Sequence, residues 1–195
     1  MKKAMQIGTN DAQTNDIFKS VCMDRGVKHA YLIEPLEKHN PQIEKVYSDM
    51  SHEIHNIAIT PNPYIQKADL YMLGDITRHF SLVKRKTHPC RDSGPMDKIS
   101  VPCKTFAKFC EENNIEKLDT LYIDAEGLDY EIIMSIDLAH ISIDNIIFEE
   151  WDHDDDDENY NYRTGSELLE VVYKKLRENG YSTCRYQERD IKAWK

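Results

Sequence analysis

The chain has 195 residues, with 35 acidic against 25 basic side chains, a formal net charge of −10, and hydrophobic residues making up 40% of the total. That length suits one domain over residues 1–195 that buries a core without disulfide or metal staples, and the acidic balance argues against nucleic acid as a partner, since phosphates need clustered Lys and Arg. No apolar run approaches the roughly 18 residues of a membrane span, MKKAMQIG turns polar too early for a signal peptide, and Cys22, Cys90, Cys103, Cys110 and Cys184 form no Cys-x-x-Cys pair; the expected setting is cytoplasmic, with reduced thiols.

Strand-like and helix-like segments alternate along the chain. Ala4 to Gly8 and Ala30 to Pro35 are short apolar runs, and between them Asp16 is placed to cap a helix bearing Ile17, Phe18, Val21 and Cys22, with Gly26 ending it. Asn40-Pro41 then reads as a cap and first turn for a helix carrying Ile43, Val46, Tyr47 and Met50. His55 to Thr60 reads as a buried strand closed by Pro61, and Asp69 to Leu73 as another strand. From Gly74 to Pro102 the pattern dissolves into an irregular, partly basic stretch, expected to be a functional loop.

Thr105 can start a helix with Phe106, Phe109 and Cys110 on one side; Thr120 to Asp124 follows as a strand, then a helix with Leu128, Ile132, Ile133 and Ile136 as its apolar stripe. Asn145 to Trp151 is the next strand, Thr164 and Glu167 form a capping box for a helix that Gly180 ends, and the tail reads as two strands joined by a turn. The alternation predicts an α/β fold: a mostly parallel central sheet with helices on both faces and a C-terminal antiparallel hairpin.

Ligands of such sheets sit at the carboxyl ends of the strands, where the strand order reverses. Gly8, Thr9, Asn10 and Asp11 follow the first strand and Glu34 the second; a turn glycine and a strand-end acid suit a nucleoside, with Glu34 accepting from a ribose diol. Asn10 and Gln13 stand where the dinucleotide fingerprint needs glycine, which argues against NAD. In LDTLYIDAEGLDYEII, Asp124 ends an apolar strand and is the first choice for a residue facing the cleft. Glu126 is intermediate, since Gly127 lets its backbone bend. Asp129 and Glu131 read as complements to the helix dipole, stabilising by about 0.3–1 kcal/mol each.

IDAEGLDYEII resembles the Asp-x-Glu-Gly-x-Asp/Glu hallmark of FkbM-type methyltransferases that use S-adenosylmethionine, and MQIGTNDAQTNDIF and AYLIEP resemble their first and second strand motifs, in the same order and spacing. The resemblance implies a Rossmann-like class I methyltransferase fold and methyl transfer to a hydroxyl, usually of a sugar or glycosylated product. It implies that Gly8, Thr9, Asn10 and Asp11 line the methionine end of S-adenosylmethionine, that Glu34 holds its ribose, that Ser81 lies near the adenine or acceptor, and that Asp124 faces the reaction centre; the residues themselves add Glu126 and His153 as further catalytic candidates. Ala12 departs from the pattern, standing where a second glycine is common, and the first strand begins almost at Met1. The resemblance therefore implies a minimal member or a domain cut from a longer polypeptide, with covalently linked glycosyltransferase domains as partners.

Proton removal from the acceptor has two solutions on these residues: Asp124 or His153 as a direct base, or a divalent metal held by Asp124 with Glu149, Glu150 or Asp152. The sequence leaves both open. It also leaves open a polyketide-type or other small hydroxylated acceptor, and a non-catalytic cofactor-binding module. The run from Asp154 to Asp157 reads as a solvated flap at the acceptor side, since it lacks the spaced ligands of a calcium loop.

Overall fold

The computed structural model describes residues 1–12, 17–72, 80–81, 97–150, 165–187 and 190–195, and of residues 71–72, 80–81, 97 and 165–166 the backbone alone. In chain order the elements are β1 (Lys3–Ile7), α1 (Phe18–Asp24), β2 (His29–Ile33), a 3-10 turn (Glu37–His39), α2 (Asn40–Val46), β3 (Ser51–His55), β4 (Ala58–Ile59), β5 (Lys67–Met72) and β6 (Phe80–Ser81). There follow β7 (Asp97–Lys104), α3 (Phe106–Glu112), β8 (Lys117–Ile123), α4 (Asp129–Ser135), β9 (Ser142–Glu149), α5 (Gly165–Glu178), β10 (Ser182–Arg185) and β11 (Asp190–Trp194).

The main sheet has seven strands in the order β10-β11-β9-β8-β1-β2-β3. Its central strands are parallel, while β11 runs antiparallel to β9 and pairs with β10 as the expected C-terminal hairpin. All five residues of β2 are buried, the signature of a strand covered on both faces. One face packs against α1 and α2, where Phe18, Val21, Cys22, Ile43 and Tyr47 meet Ala4, Ala30 and Leu32. The other packs against α3, α4 and α5 through Phe109, Ile132, Ile133, Val172 and Leu176 on Met5, Leu121 and Phe148. Side-chain alternation along each strand thus feeds two separate cores.

A second, four-stranded sheet, β4-β7-β5-β6, stands beside the cleft end of the first and closes a small core of Leu36, Ala58, Leu70, Val101 and Cys103. Here the sequence expectations need correction. The single strand expected over His55 to Thr60 is two: His55 ends β3 in the large sheet, and Ala58–Ile59 enter the small one. The break falls at Asn56, around which Ile57 N–H folds back to His55 O at 2.9 Å, a three-residue turn. The stretch expected to be irregular from Gly74 to Pro102 contains β6 and most of β7. Pro102 is tolerated within β7 because β4 reaches only Cys103 and Lys104, so no partner needs its missing N–H.

The helix starts match the sequence expectations only in part. Thr105 caps α3, its hydroxyl accepting from Lys108 N–H at 3.1 Å. Asn40 is instead the first residue of its helix, behind His39, and its side chain bonds elsewhere. Ile17 precedes α1 with no side-chain cap, while Asp16, Thr164 and the run from Asp154 to Asp157 lie outside the described residues. No helix among the described residues is long and apolar enough to cross a membrane.

Candidate functional site

The strand order reverses between β1 and β8, the position where open α/β sheets bind ligands. A cleft opens there, with a cavity volume of about 80 Å³. It is lined by Gly8, Asn10, Glu34, Asp124 and Glu126 at and just beyond the strand ends, and walled by Ile57 and by Ala58, Ile59 and Leu70 from the small sheet.

Gly8 lets the end of β1 lie against the end of β8. It stands at φ +84°, and a Cβ there would lie 1.9 Å from the carbonyl oxygen of Asp124. The sequence expectation put this glycine beneath a ligand; its tightest neighbour is the main chain of the next strand, whose Asp124 N–H donates to Ile7 O at 2.9 Å. Beyond Gly8 the chain folds back on β2, with Gly8 N–H and Thr9 N–H both donating to Ile33 O, at 3.0 and 3.1 Å. Asn10 and Ala12 then take left-handed conformations, φ +52° and +54°. Ala12 holds the conformation that glycine adopts without strain.

Glu34 anchors this loop. Its carboxylate, 4% exposed, accepts Asn10 N–H on Oε2 at 2.8 Å and Leu36 N–H on Oε1 at 2.9 Å, and His39 Nδ1 lies 3.5 Å from Oε1. A carboxylate offers about four acceptor positions, so acceptor capacity remains on this cleft-lining residue. Thr9 and Asp11 are not among the cleft-lining residues: Thr9 is buried with its hydroxyl 3.4 Å from Ile33 O, and Asp11 N–H donates to Asn10 Oδ1 at 2.8 Å.

On the opposite wall, Asp124 sits half-buried at the end of β8. Burial, and then the neighbouring carboxylates of Asp129, Glu126, Glu149 and Asp190, hold its carboxyl well above the usual carboxylate range. Glu126 follows in a left-handed conformation, φ +50°, with Gly127 at φ +100°. The surprise is Asp129. Far from being a solvated first-turn acid, it is 1% exposed, and its two oxygens accept Ala125 N–H at 3.4 Å and Gly127 N–H at 3.3 Å, bracketing the strained Glu126. Burial and the Glu149 charge push it up to about 7, against the pull of those backbone donors. An acid at the start of a helix reads the same in sequence whether solvated or buried; the one available signal was its spacing to Gly127, which lets a side chain reach back over the turn.

The structure therefore brings Gly8, Asn10, Glu34, Asp124 and Glu126 to one cleft. Ser81 lies in β6, of which only the backbone is described, and His153 and Asp152 lie outside the described residues. Among the described residues no group of three His, Cys, Asp or Glu side chains is arranged to hold a metal ion.

A family model described as the methyltransferase FkbM domain matches residues 6–183. Of solved structures, the methyltransferase FkbM from Methylobacillus flagellatus KT covers 100% of this chain at 9% identity with a TM-score of 0.54. The precorrin-6y C5,15-methyltransferase from Geobacter metallireducens also covers 100%, at 11% identity and a TM-score of 0.47, matched over 81% of its own length. The chain spans 43% of the length of the first of these, and that likeness is one of fold. No curated protein matches the chain.

Proposed function

The chain belongs to the methyltransferase FkbM domain family, and from that premise we propose that it is an S-adenosylmethionine-dependent O-methyltransferase whose acceptor is a sugar hydroxyl, for example of a deoxyhexose such as rhamnose in a glycan or glycoconjugate. The observation that carries the reading is the pairing, across one cleft, of a buried strand-end acid with a second acid held basic by its surroundings.

The residues present suit this cofactor. Glu34 keeps acceptor capacity for a ribose diol, the apolar wall of Ile57, Ile59 and Leu70 suits a purine, and the carboxylates at the other end suit an ammonium and a sulfonium. When bound, S-adenosylmethionine supplies an electrophilic methyl group. Asp124 would accept the proton of the attacking hydroxyl, and an elevated pKa makes a carboxylate a better base near neutral pH. The closed turn from Asp124 to Asp129 fixes that acid relative to Gly8. Glu126 lines the same floor and adds negative charge beside Asp124.

Calorimetry with S-adenosylmethionine tests the cofactor reading, and Glu34→Ala should weaken binding by roughly 1–3 kcal/mol, the range for hydrogen bonds to a charged group. Equal affinity of wild type and variant would remove Glu34 from the site. A screen of simple glycosides against polyketide-like alcohols tests the acceptor: methylation confined to the latter would overturn the sugar assignment.

A further inference from the structure

Nothing in the sequence singled out Asn56, yet its side chain joins three parts of the cleft. Its Nδ2 donates to the main-chain oxygen of Glu34 at 2.9 Å and to Asn40 Oδ1 at 2.9 Å, while its Oδ1 accepts from Asn40 Nδ2 at 2.9 Å. The N–H of Glu34 donates to His55 O at 3.1 Å, so the Glu34 residue is gripped on both sides by the turn that Asn56 centres. The reciprocal amide pair ties that turn to the first residue of α2. Immediately downstream, Ile57, Ala58 and Ile59 form the apolar wall.

Each of these bonds is directional, and none carries a net charge that would compete with a ligand for Glu34. The carboxylate is therefore aimed by two shells: backbone N–H groups hold its oxygens, and the Asn56–Asn40 clasp holds the peptide from which it springs. We infer that Asn56 is a positioning residue for the ribose of the cofactor, acting through Glu34, with Asn40 as its clasp. The inference rests on the reading that Glu34 accepts the ribose hydroxyls.

Calorimetry and methyl-transfer kinetics on the full chain test it, with Asn56→Ala, Asn40→Ala and the double variant. Asn56→Ala is expected to raise the Kd and KM for S-adenosylmethionine about tenfold, the equivalent of one typical hydrogen bond, with kcat at saturation within about twofold of wild type. Asn40→Ala should cost less, and the double variant no more than Asn56→Ala, because both act through one clasp. Adenosine binding should weaken in parallel while adenine binding does not, a split that general loosening of the fold would not produce. Additive losses, equal losses for adenine and adenosine, or a fall in kcat without a change in KM would overturn the proposal. If Asn56→Ala fails to fold, the adenosine and adenine comparison on Asn40→Ala decides by the same criterion. Failure of wild type to bind S-adenosylmethionine would sink the cofactor reading and this inference together; a loss on Glu34→Ala with none on Asn56→Ala sinks this inference alone.

Discussion

Replacing Asp129 with Asn separates the sequence reading from the structural one most sharply. A first-turn acid on a solvated helix contributes about 0.3–1 kcal/mol, with little pH dependence above pH 5. Asp129 is instead buried, with a pKa raised from 3.8 to about 7 by burial and Glu149. The folded state therefore holds a proton that the unfolded state has released, so stability falls as pH rises from about 4 to about 7. The whole effect is about 4 kcal/mol, of which about 3 kcal/mol falls between pH 5 and pH 8. Asn is neutral throughout and nearly isosteric, but it has one acceptor oxygen for two N–H groups, those of Ala125 and Gly127. Leaving one of them unpaired costs about 1–3 kcal/mol. Urea denaturation should find Asp129→Asn less stable than wild type at pH 5 and level with it or better at pH 8. A difference between the two proteins that stays constant within about 1 kcal/mol across that range would refute the burial argument.

Asp124→Asn should keep the fold and much of the cofactor affinity while lowering the methyl-transfer rate on the order of 10²-fold or more. Because the Asp124 carboxyl is held above its ordinary range, the wild-type rate should climb with pH through values higher than a free carboxylate would give, and the variant should lose that limb; an unchanged profile would move the base elsewhere. Adding a chelator should leave the wild-type rate intact if Asp124 acts as the base itself, whereas a loss restored by a divalent ion would make it a metal ligand. Gly8→Ala places a Cβ 1.9 Å from Asp124 O at φ +84°, so a loss of about 3 kcal/mol or more is expected in denaturation midpoints, and a wild-type midpoint would refute the contact.

The legible parts of this chain are those where one physical cause dominates. Apolar runs such as Tyr31-Leu32-Ile33 and Leu121-Tyr122-Ile123 announce doubly covered strands, and Gly8, Glu34 and Asp124 follow from where those strands end. The edge strand β3, Ser51-His52-Glu53-Ile54-His55, escaped because an edge carries polar residues and pairs with one neighbour only. β7 escaped because Lys98, Ser100 and Pro102 interrupt it, and its partners lie in a sheet built from distant segments, Ala58–Ile59 and Lys67–Met72. The burial of Asp129 and the Asn56 clasp were invisible for a related reason. The first depends on backbone N–H groups, which every residue carries and no side-chain pattern reports, and the second on two side-chain amides that only the fold brings together.

The contact between Gly8 and the Asp124 carbonyl also bears on how such a domain can be repurposed. Main chain against main chain, it sets the spacing between the Gly8–Ala12 loop and Asp124 without using any side chain that selection on an acceptor would alter. Segments farther from this contact can then be exchanged, lengthened or grafted from a relative while Gly8 and Asp124 stay in register. An engineer seeking a new acceptor should hold Gly8 and the Asp124–Asp129 turn constant and spend every library position beyond them.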